Sequence, residues 1–204
     1  MISKPITILL LLMTLQPAAY TQQLPQTYQL DIKKSKILWN TGKLMGGHHG
    51  YFLFNSGSLQ YSATGEPLTG FFSMDMNSIR STDNPKEAER QRVDGDLRKE
   101  DFFASDQYPA AVMNVKKIIR IGSSTNFKVA GELTIKGITN PIEFTATVIT
   151  KDNTVHITAN VDIQRQLWNI HSKPQANNSL NFLSAINEKL VPDIHVALDL
   201  ILNK

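Results

Sequence analysis

The chain has 204 residues, with 41% hydrophobic and 19% charged side chains, 21 Lys+Arg against 18 Asp+Glu, a formal charge of +3 and no cysteine. That composition suits a single domain with a sizeable core and excludes a disordered or supercharged polypeptide. The basic residues are scattered, which argues against a nucleic-acid partner, and without cysteine there is no disulfide, thiolate metal site, iron–sulfur cluster or cysteine nucleophile.

The N-terminus has the organisation of a secretory leader. Lys4 supplies a short positive region, Ile6 to Leu15 is an apolar run broken only by threonines, and Gln16-Pro17-Ala18-Ala19 adds a polar break and small residues. A bilayer-spanning helix needs about 20 apolar residues, and this run is far shorter, so no integral membrane span is expected. The expectation is a signal peptide over residues 1–19, a domain over 20–204 and a periplasmic location. No cysteine follows the apolar run, which excludes lipid attachment there.

Beyond residue 27 the chain reads as strands. Ile37 and Trp39 alternate with Leu38 and Asn40. After His48-His49-Gly50, the run Tyr51-Phe52-Leu53-Phe54 leads to Asn55-Ser56-Gly57, whose composition predicts a hairpin turn before Ser58-Leu59-Gln60-Tyr61. Phe72, Met74 and Met76 alternate with Ser73, Asp75 and Asn77, and the two-residue period returns in Val129 to Ile135, Ile142 to Val148, Val155 to Ile163 and Ile194 to Leu202. One segment differs: Asn84-Pro85-Lys86-Glu87 predicts a capped helix running through Arg92 and interrupted at Gly95. Leu97, Phe102 and Phe103 then offer an apolar face for one end of the sheet. Ser172 to Ser184, rich in Asn, Ser, Gln and Pro, predicts a long surface loop.

Many short strands joined by tight turns imply antiparallel pairing, because parallel strands need a crossover for each connection. The fold class is therefore all-β, an antiparallel barrel or sandwich of eight or more strands with a short helix between strands; closing the sheet into an eight-stranded barrel would also remove exposed edges. A barrel of that size is filled by side chains or holds one small ligand. Strand parity assigns Ile37, Trp39, Phe52, Phe54, Phe72, Met74, Met76, Met113, Val129, Leu133 and Phe144 to the interior, and Ser73, Asp75 and Lys128 to the outside. Small residues at interior positions, Gly131, Ala111, Ala146 and Ala159, are expected to leave space.

Catalytic chemistry finds little support. His48 and His49 with Asp75 or Glu66 would be the candidate metal or acid–base group, but adjacent strand residues face opposite ways and no His-x-His or His-Glu-x-x-His spacing occurs. His156, His171 and His195 are isolated. Ser56 lacks a nucleophile elbow, and Met45-Gly46-Gly47 does not lead into a helix as a phosphate loop would. No catalytic residue, metal or cofactor is assigned.

Three successive motifs carry a resemblance. Asp96-Leu97-Arg98-Lys99-Glu100-Asp101-Phe102-Phe103, Tyr108-Pro109-Ala110-Ala111, and the run from Val129-Ala130-Gly131-Glu132 to Asn140-Pro141-Ile142 resemble, in order and spacing, the signatures of the YceI-like family. Trp39-Asn40-Thr41-Gly42-Lys43, Ser78 to Thr82, Arg165 and Trp168-Asn169-Ile170 agree with it; the His48-His49 pair and the Asn/Ser-rich loop depart from it. The resemblance covers nearly all the chain after the leader. It implies a secreted lipocalin-like barrel whose interior holds a long isoprenoid or similar amphiphile, a binder without covalent chemistry. The expected partner is thus an apolar lipid of polyisoprenoid or isoprenoid-quinone type, with pairing of two chains left open. Two alternatives stand beside it: a structural or interaction barrel without ligand, and a metal-dependent envelope enzyme using His48 and His49.

Overall fold

In the computed structural model, which describes residues 25–41, 47–170 and 193–204, the alternating segments form nine strands in one antiparallel sheet. They are β1 (Gln26–Leu30), β2 (Lys36–Asn40), β3 (His49–Tyr61), β4 (Pro67–Ser81), β5 (Ala110–Arg120), β6 (Asn126–Ile135), β7 (Ile138–Lys151), β8 (Thr154–Ile163) and β9 (Ile194–Asn203). Each of β2 to β9 pairs with its neighbour in sequence, and β2 also pairs with β9, matching Ile37 to Leu198 and Trp39 to Val196. The sheet is therefore a closed eight-stranded barrel. The ninth strand adds no position to the ring: β1 lies between β3 and β9 beyond the end of β2, so the two short strands share one place, broken at Asp31–Ser35. Ser35, fully buried, stitches that break to β9 by accepting a hydrogen bond from the Ile201 amide at 3.0 Å.

Parity decides which side chains meet. Along β8, Val155, Ile157, Ala159, Val161 and Ile163 are all buried, while the residues between them face outward. On the outer wall the long charged side chains pair across strands, as Lys128 does with Glu143 at 2.8 Å. At Lys136-Gly137 both residues have positive φ, 51° and 71°, the type I′ geometry that joins β6 to β7 in two residues.

Three expectations need correction. Asn55-Ser56-Gly57 is not a turn: β3 runs unbroken from His49 to Tyr61, and the irregularity there is a register shift against β4 between Phe54 and Ser56. A bulge draws on the same small polar residues as a turn. The helix α1 spans Glu87–Arg98 and begins after Lys86; the Asn84 side chain instead accepts a hydrogen bond from the Lys86 amide at 2.9 Å, closing a local turn before the helix. Nor does Gly95 interrupt the helix. It lies inside α1, and a Cβ there would meet nothing within 4 Å. Gly95→Ala should accordingly stabilise the fold by about 0.5–1 kcal/mol by lowering the entropy of the unfolded chain; urea denaturation checks this, and an unchanged midpoint would refute it.

The two ends of the barrel differ. At one, the Tyr28 and Tyr61 rings meet at a tilt of 51° with centroids 4.9 Å apart, and Tyr61 shares a 3.0 Å hydrogen bond with the Thr150 hydroxyl. Burial there raises the Tyr61 phenol above its ordinary pKa, against the opposing effect of the Thr150 bond. Leu202 and Val155, both fully buried, complete this closed end. At the other end lie α1, the segment that follows it, and a single 3-10 turn, Arg165–Trp168. Asp94 of α1 is buried and accepts from both the amide and the hydroxyl of Ser81, at 2.6 and 2.8 Å, which ties the helix to the end of β4. Trp168 donates from its indole to the Leu133 carbonyl at 3.0 Å, and Lys136 reaches the carbonyls of Glu100 and Asn169, both at 2.9 Å. The predicted leader, His171 and the predicted loop from Ser172 to Ser184 lie outside the described residues.

Candidate functional site

The barrel interior contains two lobes set end to end. The lobe toward the closed end has a volume of about 80 Å³ and is lined wholly by apolar side chains, with Phe54, Leu59, Phe72, Val115 and Leu200 among them. The lobe toward the helix end has about 120 Å³, with Trp39, Phe52, Met76, Phe103 and Leu133 in its wall. Ile37, Met74, Met113, Phe144 and Leu198 line both and form the waist between them. Together the lobes exceed an apolar void of ~150 Å³, a size that stays dry and takes up a benzene ring. No Lys, Arg, His, Asp or Glu lines either one. Such a space can shelter hydrocarbon, and none of the side chains lining it is titratable.

Every interior residue assigned by parity falls on these lobes: Phe54, Phe72 and Val129 on the closed-end lobe, Trp39, Phe52, Met76 and Leu133 on the helix-end lobe, and Ile37, Met74, Met113 and Phe144 on the waist. Ala111 and Ala146 line the lobes as well, one in each, and are small enough to leave room. Gly131 does not act that way. A Cβ there would lie 2.2 Å from the Asn114 carbonyl oxygen and 2.8 Å from the Met113 methyl, so the missing side chain admits β5, not a ligand.

The wall also contains residues that the parity assignment left out. Val196, Leu198 and Leu200 of β9 and Ile157, Val161 and Ile163 of β8 face the lobes and carry the same alternation. Ile118 is different in kind: a register shift between Val115 and Lys117 reverses the parity of β5, so Val115 and Ile118 both face inward. Phe103 enters from the segment after α1 and meets Phe52 edge to face at 5.6 Å and Phe102 at 5.1 Å. These rings cover the helix end of the interior.

The described histidines, His48, His49, His156 and His195, lie elsewhere and diverge. His48 donates from Nδ1 to the Asp83 carboxylate at 2.7 Å, whereas His49 borders an open groove on the outer wall across β2, β3, β8 and β9. Burial pushes the Asp83 carboxyl up, but the His48 hydrogen bond and the nearby imidazoles outweigh it, and the group sits below the ordinary carboxylate range. His156 pairs with Asp199 at 2.7 Å and His195 with Asp162 at 2.5 Å, again on the outer wall. Among the described residues, no group of three or more His, Asp or Glu side chains is placed to hold a metal ion. No described helix is long and apolar enough to cross a membrane.

A closed antiparallel barrel with an apolar interior and a helix over one end is a lipocalin-type barrel. The family model for the YceI-like domain matches residues 28–200, and the chain belongs to that family. Among solved structures of similar fold, BcnA of Burkholderia cenocepacia is 17% identical with a TM-score of 0.67, the match covering 84% of this chain and 98% of that one. A polyisoprenoid binding domain from Saccharophagus degradans is 15% identical with a TM-score of 0.57, over 86% of this chain and 97% of that one. The YceI protein of Campylobacter jejuni is 20% identical with a TM-score of 0.54, over 74% and 82%. No curated protein matches the chain.

Proposed function

We propose that this chain is a periplasmic carrier for a long apolar or amphiphilic lipid, of polyisoprenoid or isoprenoid-quinone type, held in the barrel interior without covalent chemistry. The observation that carries the reading is the pair of uncharged lobes that share Met74, Met113 and Phe144 in their walls, apolar space set along the barrel that suits a flexible hydrocarbon chain. Membership of the YceI-like family supports a lipid-binding role, as does the likeness to a domain described as polyisoprenoid binding. The leader over residues 1–19 supports export, and the residues assigned to the interior are the proposed contacts to the lipid. Methionines at the waist favour an adaptable wall, since thioether side chains change shape at little cost.

The test is extraction. Protein isolated without detergent from the envelope of its native host should release an isoprenoid lipid into organic solvent in near-stoichiometric amount, identified by mass spectrometry. Folded protein that repeatedly releases none would overturn the carrier reading in favour of a barrel that serves as structure or interaction surface alone.

A further inference from the structure

Two ladders of the ring stop short of their strands' ends. β4 and β5 part beyond Gly70 and Val115, and there Arg120 of β5 bridges to Glu66, just before β4, at 2.9 Å. β7 and β8 pair only over Ala146–Lys151 against Thr154–Ala159. Toward the helix end they diverge, β7 staying on β6 as far as Ile138 and β8 staying on β9 as far as Ile163. Pro141 suits this stretch of β7, because a residue without an N–H belongs where a strand has a free edge. Among the described residues no ion pair spans this second fork: Glu143 turns to Lys128 of β6 and Asp162 to His195 of β9. Two small residues, Ala146 and Ala159, stand at its apex. Beside the apex the outer wall has a groove of about 300 Å³, with Thr145, Thr147, Thr158, Asn160 and Leu198 in its lining. Leu198 lines both interior lobes as well, so groove and interior meet at one residue.

We propose that the bound amphiphile crosses the barrel wall at the β7–β8 fork, with its hydrocarbon tail in the lobes and a neutral, hydroxyl- or carbonyl-bearing head in the outer groove. This inference deepens the carrier reading and rests on it. Volume requires an exit: a void of ~150 Å³ takes up one benzene ring, and the lobes measure about 80 and 120 Å³, so a long lipid fits inside only in part. Both barrel ends are covered, by Tyr28 and Tyr61 at one and by Phe102 and Phe103 at the other. The groove has the chemistry of a neutral head. Thr145, Thr158 and Asn160 are exposed and make no side-chain hydrogen bond among the described residues, which leaves two hydroxyls and a carboxamide to donate and accept. A phosphate head finds no cation in that lining to offset its lost hydration.

The experiment uses three probes delivered from cyclodextrin: phytanol, its parent hydrocarbon phytane, and phytanyl phosphate. The chain has no cysteine, so the thiol of Asn160→Cys is the single site for N-ethylmaleimide. Saturating phytanol should slow that reaction about fivefold or more, and phytane by less than about twofold, because only the alcohol places a group in the groove. In Thr145→Val with Thr158→Val, loss of two neutral hydrogen bonds should weaken phytanol about tenfold while phytane changes by less than about twofold. Phytanyl phosphate should bind wild type more weakly than phytanol. The assignment is overturned if phytanol leaves the thiol fully reactive, if phytane protects it equally, if the double variant binds phytanol as wild type does, or if the phosphate binds as tightly as the alcohol. Wild type that binds none of the three overturns the carrier reading itself, a separate failure.

Discussion

Met74→Glu is expected to yield a folded barrel that no longer retains lipid. Met74 lines both lobes, so a carboxylate there faces hydrocarbon on either side of the waist without a partner. Burying it costs about 3 kcal/mol or more even when it is protonated, which corresponds to a loss of roughly 100-fold or more in affinity. With the interior unoccupied, water can enter beside the carboxylate, and that is why the fold should survive. Asp75→Ala, one residue along β4, supplies the control: Asp75 accepts from the Asn77 amide at 2.9 Å and lines neither lobe, so its loss should leave lipid retention intact. Circular dichroism and lipid extraction on the two variants decide the matter. A Met74→Glu protein that folds and keeps its lipid would place the ligand outside the barrel, and one that cannot fold at all would mark the interior as solid core.

The second large effect is expected from one methyl group. In Gly50→Ala the new Cβ would lie 1.8 Å from the Arg80 carbonyl oxygen, 2.7 Å from its carbon and 2.8 Å from the Ser81 Cα, all backbone atoms of β4. Gly50 cannot retreat, because β3 is held there between Trp39 of β2 and Ser81 of β4. Overpacking against backbone should cost about 3 kcal/mol or more, lowering the melting temperature by roughly 6–12 °C for a chain of this size. The strain falls on Ser81, which holds Asp94, so α1 should loosen before the barrel does. Gly95→Ala makes the same chemical change with the opposite sign, since its Cβ meets open space. A Gly50→Ala protein within about 1 kcal/mol of wild type would show that the strands part there at little cost.

The inward set was legible because a two-residue period converts one buried face into an all-or-none pattern, and Phe72, Met74 and Met76 could not be split between faces. Where the period failed, a bulge was responsible. Ile118 has the wrong parity for an interior residue until the shift after Val115 is known, and Asn55-Ser56-Gly57 mimics a turn because both devices use small polar residues. Phe103 was recognisable as apolar and near the sheet end, but its seat against Phe52 depends on how the segment after α1 folds back, a tertiary fact with no local period. That the Trp39 indole has no acceptor among the described residues was invisible to any pattern. Hydrogen-bond satisfaction is counted across the fold, and Trp168 looks no different in the sequence.

The pairing of β2 with β9 also governs how the molecule is made. Ser35 and Ile201, which bond across this seam, are 166 residues apart. A nascent chain leaving the ribosome or a translocation pore therefore carries an open, twisted sheet whose two edges and greasy inner face stay exposed until the final strand arrives. Closure has to wait until β9 has been made and must overcome the entropy of a very long loop, which makes it a slow event compared with the local hairpins that precede it. During that interval the unclosed sheet is the form most open to aggregation and to capture by chaperones, and a lipid that enters the barrel while it is still ajar would be enclosed by the strand that completes it.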